Sequence, residues 1–319
     1  MSAAVEPQEL VQLGSSPIRV PALGVGAWAW GDRVTWGYGR GYGKADVRAA
    51  FHASLDAGLT LIDSAEIYGM GRSERLLGEF LRERPDGVVV ATKFFPYPWR
   101  LRRGELDRAL RASLRRLGLP RVDLYQIHWP FPPIPVRTWA EALADVLSLG
   151  LTRTVGVSNY DRNQTQEAHG VLLARGHSLT SNQIEYSLLE RVPERNGLLR
   201  ACQDLGVTVI AYSPLAMGLL TGKFSPSHPP PAIRRRAFGR VNLERLTRLT
   251  AALREVGQAY GRKTSGQVAL NWVLAKGTLP IPGAKNADQA RENAGALGWR
   301  MSPDEMRHLE LVADQTIGI

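Results

Sequence analysis

The sequence has a single cysteine, Cys202, and no long apolar run. One cysteine excludes a disulfide within the chain and is typical of proteins from reducing compartments. The apolar segments are far shorter than the roughly 20 residues that a membrane-spanning helix needs, which argues against a membrane protein. The first ten residues carry two glutamates and no basic residue, so we expect no secretory signal.

Motifs for metal binding and for nucleophilic catalysis are also missing. The six histidines show no H-x-x-x-H spacing and there is no cysteine pair, so no metal site is predicted. G-x-S-x-G is absent, which argues against a serine nucleophile. Residues 24–28 read GVGAW rather than G-x-G-x-x-G, which argues against a doubly wound dinucleotide-binding sheet.

Acidic residues are in the minority: the chain has 30 acidic and 40 basic residues, which gives a formal net charge of +10. The arginines are spread over many segments, and the one tight run, RRR at residues 234–236, lies in a Pro-rich loop. No nucleic-acid-binding motif accompanies it, so we predict no nucleic-acid partner. The excess of positive charge instead favours attraction of an anionic cofactor or substrate.

Short apolar, β-branched runs alternate with segments of helical period along the whole chain. Eight such runs predict an α/β fold in which residues 1–319 form one (β/α)₈ TIM-barrel domain. The predicted strands are residues 23–26, 60–63, 88–93, 124–128, 154–158, 181–185, 208–212 and 279–281. A turn within residues 9–21 predicts an N-terminal hairpin that closes the barrel floor. Residues 242–260 and 303–313 predict two extra helices.

Four polar side chains come at or just after the ends of predicted strands. Asp63, Lys93 and His128 end theirs, and Tyr68 follows Asp63 by five residues. In a parallel barrel all four lie at the C-terminal mouth, where such barrels place their catalytic groups. A tyrosine has a pKa of about 10, and a neighbouring ammonium is expected to lower it. The competing interpretations are a helix cap for Asp63 and a packed core histidine for His128.

Over about residues 10–312 the chain resembles the aldo-keto reductase superfamily. The resemblance is carried, in the family's order, by DSAEIYG (63–69), ATK (91–93), LYQIHWP (124–130), GVSN (156–159), SNQ (181–183), AYSPL (211–215) and IPGAK (281–285). WAWG (28–31), HWP (128–130) and IPGAKN (281–286) are similar to its plastid-type, pyridoxal-reductase-like branch. The resemblance implies a cytoplasmic or plastid oxidoreductase that reduces an aldehyde or ketone with NADPH. Tyr68 would be the proton donor, and the other three residues would support it.

The resemblance also implies where NADPH or NADP⁺ binds. Tyr212 would stack on the nicotinamide, and Lys285 with Gln289 would contact the 2′-phosphate. An arginine is commoner than Gln289 in the family, which weakens the expected preference for NADP. The implied cofactor residues are Gly26, Trp28, Asp63, Ser158, Asn159, Gln183, Tyr212, Ser213, Pro214, Leu215, Gly218, Ile281, Gly283, Ala284, Lys285, Gln289, Glu292 and Asn293.

Aromatic residues on the mouth loops are expected to form the substrate pocket. The predicted walls are Trp28, Trp30, Phe95 and Trp129, with Trp36 and Trp99 as further candidates that could instead stabilise their own loops. The expected partner is a small-molecule carbonyl compound, and the sequence does not fix an oligomeric state. Residues 213–240 are predicted to form a mobile loop that closes over the cofactor. The alternative function is a slow, cofactor-binding accessory subunit of potassium channels.

Overall fold

The structure is a computed structural model that describes residues 10–231, 239 and 241–318. Its strands are β1 (Leu10–Gln12), β2 (Arg19–Pro21), β3 (Val25–Gly26), β4 (Leu61–Asp63), β5 (Val89–Phe94), β6 (Val122–Ile127), β7 (Thr152–Ser158), β8 (Leu179–Glu185), β9 (Thr208–Tyr212) and β10 (Leu279–Pro280). Its α-helices are α1 (Lys44–Asp56), α2 (Arg72–Leu81), α3 (Gly104–Leu117), α4 (Val136–Ser148), α5 (Arg162–Ala174), α6 (Val192–Arg195), α7 (Leu198–Asp204), α8 (Leu243–Ala259), α9 (Ser265–Ala275), α10 (Ala287–Ala294) and α11 (Pro303–Ile317).

Strands β3 to β10 form one parallel sheet in which each strand pairs with its neighbour in sequence. The sheet closes on itself, because Gly24 N donates to Pro280 O and Gly26 N donates to Pro282 O, both at 3.0 Å. The predicted (β/α)₈ barrel is confirmed. Strand bounds differ from the prediction by up to two residues, and His128 lies one residue beyond β6, where its N–H still donates to Phe94 O at 2.9 Å.

The N-terminal hairpin closes the floor of the barrel, as predicted. β1 and β2 pair antiparallel, and the buried Leu13, Ile18 and Val20 pack into the apolar interior of the strands. Gly14 adopts a φ of +53°, and a Cβ at this position would lie 2.6 Å from Thr180 O. Only glycine allows this turn to approach the barrel so closely.

The two extra helices are present as α8 and α11, and they pack against each other. Arg245 on α8 donates to Gln315 O on α11 at 2.8 Å. The Asn242 side chain caps α8 by accepting from the backbone N–H groups of Glu244 and Arg245, which is why this helix begins at Leu243. α11 runs to Ile317, beyond the predicted end at residue 313.

The segment after β9 returns over the mouth of the barrel. A 3₁₀ helix spans Ala216–Thr221, and Ser213, Ala216 and Met217 have φ values near +50°. Such backbone is costly for residues other than glycine and is found mainly at ligand sites. The arginine run at residues 234–236 and most of the predicted lid's far end lie outside the described residues. In the part of the chain that the structure describes, no helix is long and apolar enough to cross a membrane.

Candidate active site

The carboxyl ends of the strands surround a cavity of about 770 Å³. Its lining includes Asp63, Tyr68 and His128, which form the catalytic end, and also Lys285, Gln289, Glu292 and Asn293. All of the predicted cofactor residues except Ala284 lie on its wall. The volume falls within the range of ligand pockets, about 300–1,000 Å³. The sequence-based grouping of these residues at one site therefore agrees with the geometry.

Lys93 lies directly behind the cavity wall, with no exposure to solvent. Its ammonium donates to a carboxylate oxygen of Asp63, to Ser64 O at 2.9 Å and to the Tyr68 hydroxyl oxygen at 3.3 Å. A charge this deeply buried is tolerated only when it is paired and hydrogen-bonded. The three contacts supply this pairing and place the ammonium against the hydroxyl of Tyr68.

The second oxygen of Asp63 is held by two buried glutamines. Gln126 Nε2 donates to Asp63 Oδ1 at 3.2 Å, and Gln183 Nε2 donates to the same atom at 2.9 Å. Gln183 was predicted to bind the cofactor, and part of its hydrogen-bonding capacity is used on Asp63 instead. The sequence reasoning missed Gln126. A signal existed, because Gln126 stands two residues before His128 and so shares its side of the strand.

The pKa of Tyr68 differs from the sequence-based expectation. Burial raises the pKa of the Tyr68 hydroxyl well above its usual value, and the negative charge of Asp63 raises it further. The predicted lowering by Lys93 was wrong, because burial and the charge of Asp63 both raise the pKa of Tyr68. Burial also lowers the pKa of Lys93, and Asp63 acts in the opposite direction. Tyr68 is therefore a fully protonated hydroxyl at neutral pH.

His128 is held as a neutral ring beside Tyr68. Burial lowers the pKa of His128 well below its usual value, and the positive charge of Lys93 lowers it further. The ring stands edge-on to Tyr68, with centroids 5.7 Å apart and planes at 83°. Its Nδ1 atom is buried and has no hydrogen-bond partner among the described residues. A neutral imidazole next to a protonated tyrosine can donate a hydrogen bond without carrying charge into the site.

Aromatic side chains form the cavity wall around Asp63, Tyr68, Lys93 and His128. Trp28 stacks on Tyr68 with ring centroids 6.0 Å apart, and its Nε1 donates to Asp32 at 3.0 Å. Trp36 stands edge-on to Trp28 at 5.6 Å. Both tryptophans line the cavity, as do Phe95 and Trp129, which lie where they were predicted.

Trp30 does not belong to this wall, and the prediction for its side chain was wrong. It is completely buried among Phe51 and Phe80, and its Nε1 donates to Ala284 O at 2.8 Å. Ala284 is also buried outside the cavity, where it packs against small residues of α1. The chain turns back after β3, since Trp30 N donates to Ala27 O, and this turn directs the ring into the helical layer. Trp99 likewise lies outside the cavity.

Polar contacts fix the end of the cavity where the nicotinamide was expected. The Tyr212 hydroxyl donates to Asn159 Oδ1 at 2.9 Å, and Asn159 Nδ2 donates to His128 O at 3.0 Å. Ser158 Oγ donates to Gln183 O at 2.8 Å. Asn159 adopts a φ of +62°, which asparagine tolerates better than most residues. These bonds hold the Tyr212 ring rigidly beside the catalytic end.

The cavity lining also carries positive charge. Lys285 Nζ donates to Trp36 O at 2.9 Å and lies 4.4 Å from the ring centroid of Tyr42. Gln289 accepts from Lys285 N at 2.9 Å, so its side chain shapes the loop before α10. Lys223 also lines the cavity, although the sequence reasoning had not singled it out. Its signal was its place in the short segment after Gly218 and Gly222, close to the predicted cofactor residues.

Comparison with known proteins agrees with this geometry. A model of the aldo/keto reductase family matches residues 22–314. The chain is 40% identical to the chloroplastic pyridoxal reductase of Arabidopsis thaliana, over 97% of this chain and 87% of that protein. It also resembles an aldo/keto reductase from Klebsiella pneumoniae, solved in complex with NADP and acetate (TM-score 0.76, 31% identity, 96% of each chain). The glycerol dehydrogenase of Gluconobacter oxydans gives a TM-score of 0.85 at 26% identity, with 97% and 96% coverage. From the length of the family match and these relatives, the chain belongs to the aldo/keto reductase family.

Proposed function

We propose that this protein reduces an aldehyde or ketone to the alcohol, with NADPH as the hydride source and Tyr68 as the proton donor. The observation that carries the proposal is the position of the Tyr68 hydroxyl. It lies on the cavity wall, 3.3 Å from the ammonium of Lys93 and beside neutral His128. This set supplies a proton and a hydrogen-bond donor at one point, which is what a carbonyl oxygen requires as it gains negative charge.

The residues of the cavity fit a phosphorylated dinucleotide. Lys285 and Lys223 bring positive charge to the cavity wall, which suits an anion, and helix α10 adds Gln289 and Asn293 to the same wall. Tyr212 offers a fixed ring at the catalytic end. The Klebsiella relatives were solved with NADP and with NADPH. When bound, NADPH supplies a hydride from its nicotinamide ring.

Four side chains of this protein would then orient and protonate the carbonyl oxygen. His128 donates a hydrogen bond that orients the oxygen, and Tyr68 transfers its hydroxyl proton to it. Lys93 donates to the phenolate oxygen that remains, while Asp63 holds the ammonium in place. A positioned acid of this kind contributes about 10² to 10⁴ in rate.

The walls favour planar or apolar carbonyl compounds. Trp28, Phe95 and Trp129 line the cavity together with the catalytic residues. Their aromatic rings are flat and largely apolar, so they can pack against a planar substrate. The chloroplastic relative is named a pyridoxal reductase, which makes pyridoxal one substrate to test beside aromatic aldehydes and small dicarbonyls. The same relative is named as chloroplastic, which supports the plastid stroma, rather than the cytoplasm, as the compartment of this protein. No relative reported above is named as a channel subunit, so the accessory-subunit alternative gains no support.

The test of this proposal is a turnover assay with NADPH and a panel of these three carbonyl classes. We expect loss of the reduced-nicotinamide absorbance, matched by formation of the alcohol. Cofactor binding without turnover of any class would contradict the proposal and favour a binding role.

The pH dependence of reduction follows from His128. An ordinary histidine gains its proton near pH 6.5, but burial keeps the pKa of His128 well below this value. We therefore expect kcat/KM for reduction to stay level from about pH 8 down to about pH 6. Rates measured at saturating NADPH would show it. A fall centred near pH 6.5 would mean that His128 titrates normally, and the proposed neutral donor would be wrong.

Cofactor preference is expected to depend on Lys285. A charge-assisted contact to phosphate contributes roughly 1.5–3 kcal/mol, so Lys285→Ala should weaken NADPH binding about 10- to 150-fold. NADH lacks the 2′-phosphate, and its binding should be nearly unchanged. Equilibrium titration of both cofactors provides the measurement.

A surface lysine is the matched control for that experiment. Lys44 on α1 is exposed and pairs with Glu79, so Lys44→Ala should leave both cofactor affinities unchanged. Equal weakening of NADPH and NADH by Lys285→Ala would show that Lys285 acts through its contacts with Trp36 and Tyr42, which shape the loop.

A further inference from the structure

A row of aromatic rings continues outward from the cavity wall. Phe95 lines the cavity and contacts Tyr97, with ring centroids 4.8 Å apart. Tyr97 stacks on Trp99 at 4.7 Å, with the two planes only 6° from parallel. Trp99 is 72% exposed, and neither Tyr97 nor Trp99 lines the cavity itself. The row therefore leads from the catalytic site to solvent.

A partly buried ion pair holds this row in place. Arg100 donates to both carboxylate oxygens of Glu66 and to Phe95 O at 2.8 Å, while Phe95 N donates to Glu66 Oε1 at 2.7 Å. The guanidinium also lies 5.1 Å from the ring centroid of Tyr97. Glu66 is part of the DSAEIYG segment, so the same segment carries Tyr68 and anchors the aromatic loop. Trp99 is thus fixed on an ordered support, although most of its surface is in water.

A second stacked pair of rings, Trp129 and Phe131, also contacts Phe95. Trp129, on the cavity wall, stacks on Phe131 at 5.4 Å, and Phe131 lies 5.9 Å from Phe95. Phe131 is 41% exposed. Both pairs lie on loops that follow the neighbouring strands β5 and β6. The exposed rings are therefore continuous with the place where the substrate carbonyl is expected, and this continuity favours a part of the substrate as their occupant.

We propose that Tyr97 and Trp99 form an outer substrate subsite that binds the distal ring of an elongated, planar aldehyde. This inference rests on the proposed function, because it places the reactive carbonyl beside Tyr68. Arg100 brings no net charge to the subsite, since Glu66 neutralises it. The subsite therefore selects flat apolar groups rather than anions. A stacked aromatic contact is expected to improve binding roughly 2- to 12-fold.

The test compares a short aldehyde with a long one. Benzaldehyde ends within the cavity, whereas trans-4-stilbenecarboxaldehyde extends a second ring outward. In Trp99→Ala, we expect KM for the stilbene aldehyde to rise roughly 2- to 12-fold, with kcat unchanged and with benzaldehyde unaffected. Trp99→Phe keeps a stacking ring and should restore most of the difference.

The matched control is Leu149→Ala. Leu149 is also an exposed apolar residue, but it follows α4 at the opposite end of the barrel, so this variant should not change either KM. Equal KM changes for both aldehydes in Trp99→Ala, or none for either, would overturn the subsite.

Calorimetric titration of the stilbene aldehyde in the presence of NADP⁺ gives the same comparison without turnover. A weaker Kd in Trp99→Ala than in the unaltered protein supports the subsite, and equal Kd values overturn it. Failure of the unaltered protein to reduce either aldehyde would count against the proposed function alone, because the titration reports on the subsite independently.

Discussion

Replacing Tyr68 with phenylalanine is expected to lower kcat for carbonyl reduction by at least about 100-fold. The substitution removes the hydroxyl of a cavity-wall residue that lies 3.3 Å from Lys93 Nζ. The ring remains, so its stacking on Trp28 and the shape of the cavity should persist. Affinity for NADPH should therefore stay close to that of the unaltered protein. Steady-state kinetics and cofactor titration on the same preparation give the two values.

Tyr125→Phe is the matched control for this prediction. Tyr125 is a fully buried tyrosine on β6, and its hydroxyl has no hydrogen-bond partner among the described residues. Removing that hydroxyl should leave kcat unchanged. If Tyr68→Phe kept near-normal rates on several aldehydes, another group would have to deliver the proton.

Replacing Lys93 with methionine is expected to lower both activity and stability. The buried Asp63 carboxylate would lose its positive partner, and breaking a buried ion pair from one side costs about 3–5 kcal/mol. Gln126 and Gln183 would still donate to Asp63 but carry no compensating charge. Denaturant unfolding should show the loss in the free energy of unfolding, and the reduction rate should fall because the phenolate of Tyr68 loses its stabilising donor.

The double variant Asp63→Asn/Lys93→Met separates the two effects. It leaves no buried charge at this position, and the asparagine oxygen can still accept from both glutamines. We expect it to recover most of the lost stability while its activity stays low. A double variant as unstable as Lys93→Met would show that packing, rather than the unpaired charge, sets the cost.

The barrel and its catalytic end could be predicted from sequence because both depend on local patterns. Buried parallel strands need largely apolar runs. β4 and β5 each begin as such a run, and β6 is apolar at four of its six positions. Asp63, Lys93 and His128 stand at the ends of these runs, so the parallel arrangement brings them together at the mouth whatever the loops do. To predict that these three residues converge, only the order of the strands and their parallel direction had to be known.

The sequence-based predictions that were wrong or incomplete concern features that depend on tertiary contacts rather than on local sequence patterns. Trp28 and Trp30 look equivalent in WAWG, yet a turn directs Trp28 to the cavity and Trp30 into the core. The pKa of Tyr68 could not be derived from its neighbours in sequence, because it depends on the burial of the hydroxyl and on the negative charge of Asp63. Gln126 was missed for a related reason, since its partner Asp63 lies on another strand.

The proposed reduction is tested most directly by isotope transfer from NADPH in which both hydrogens at nicotinamide C4 are replaced by deuterium. The protein is incubated with this cofactor and an aromatic aldehyde, and the alcohol is examined by mass spectrometry and proton NMR. Hydride transfer from NADPH should give an alcohol with a single deuterium, located on the former carbonyl carbon. The unaltered protein should form this alcohol, and Tyr68→Phe should form almost none. Alcohol without deuterium on that carbon, or no alcohol from any aldehyde, would contradict the proposed hydride transfer.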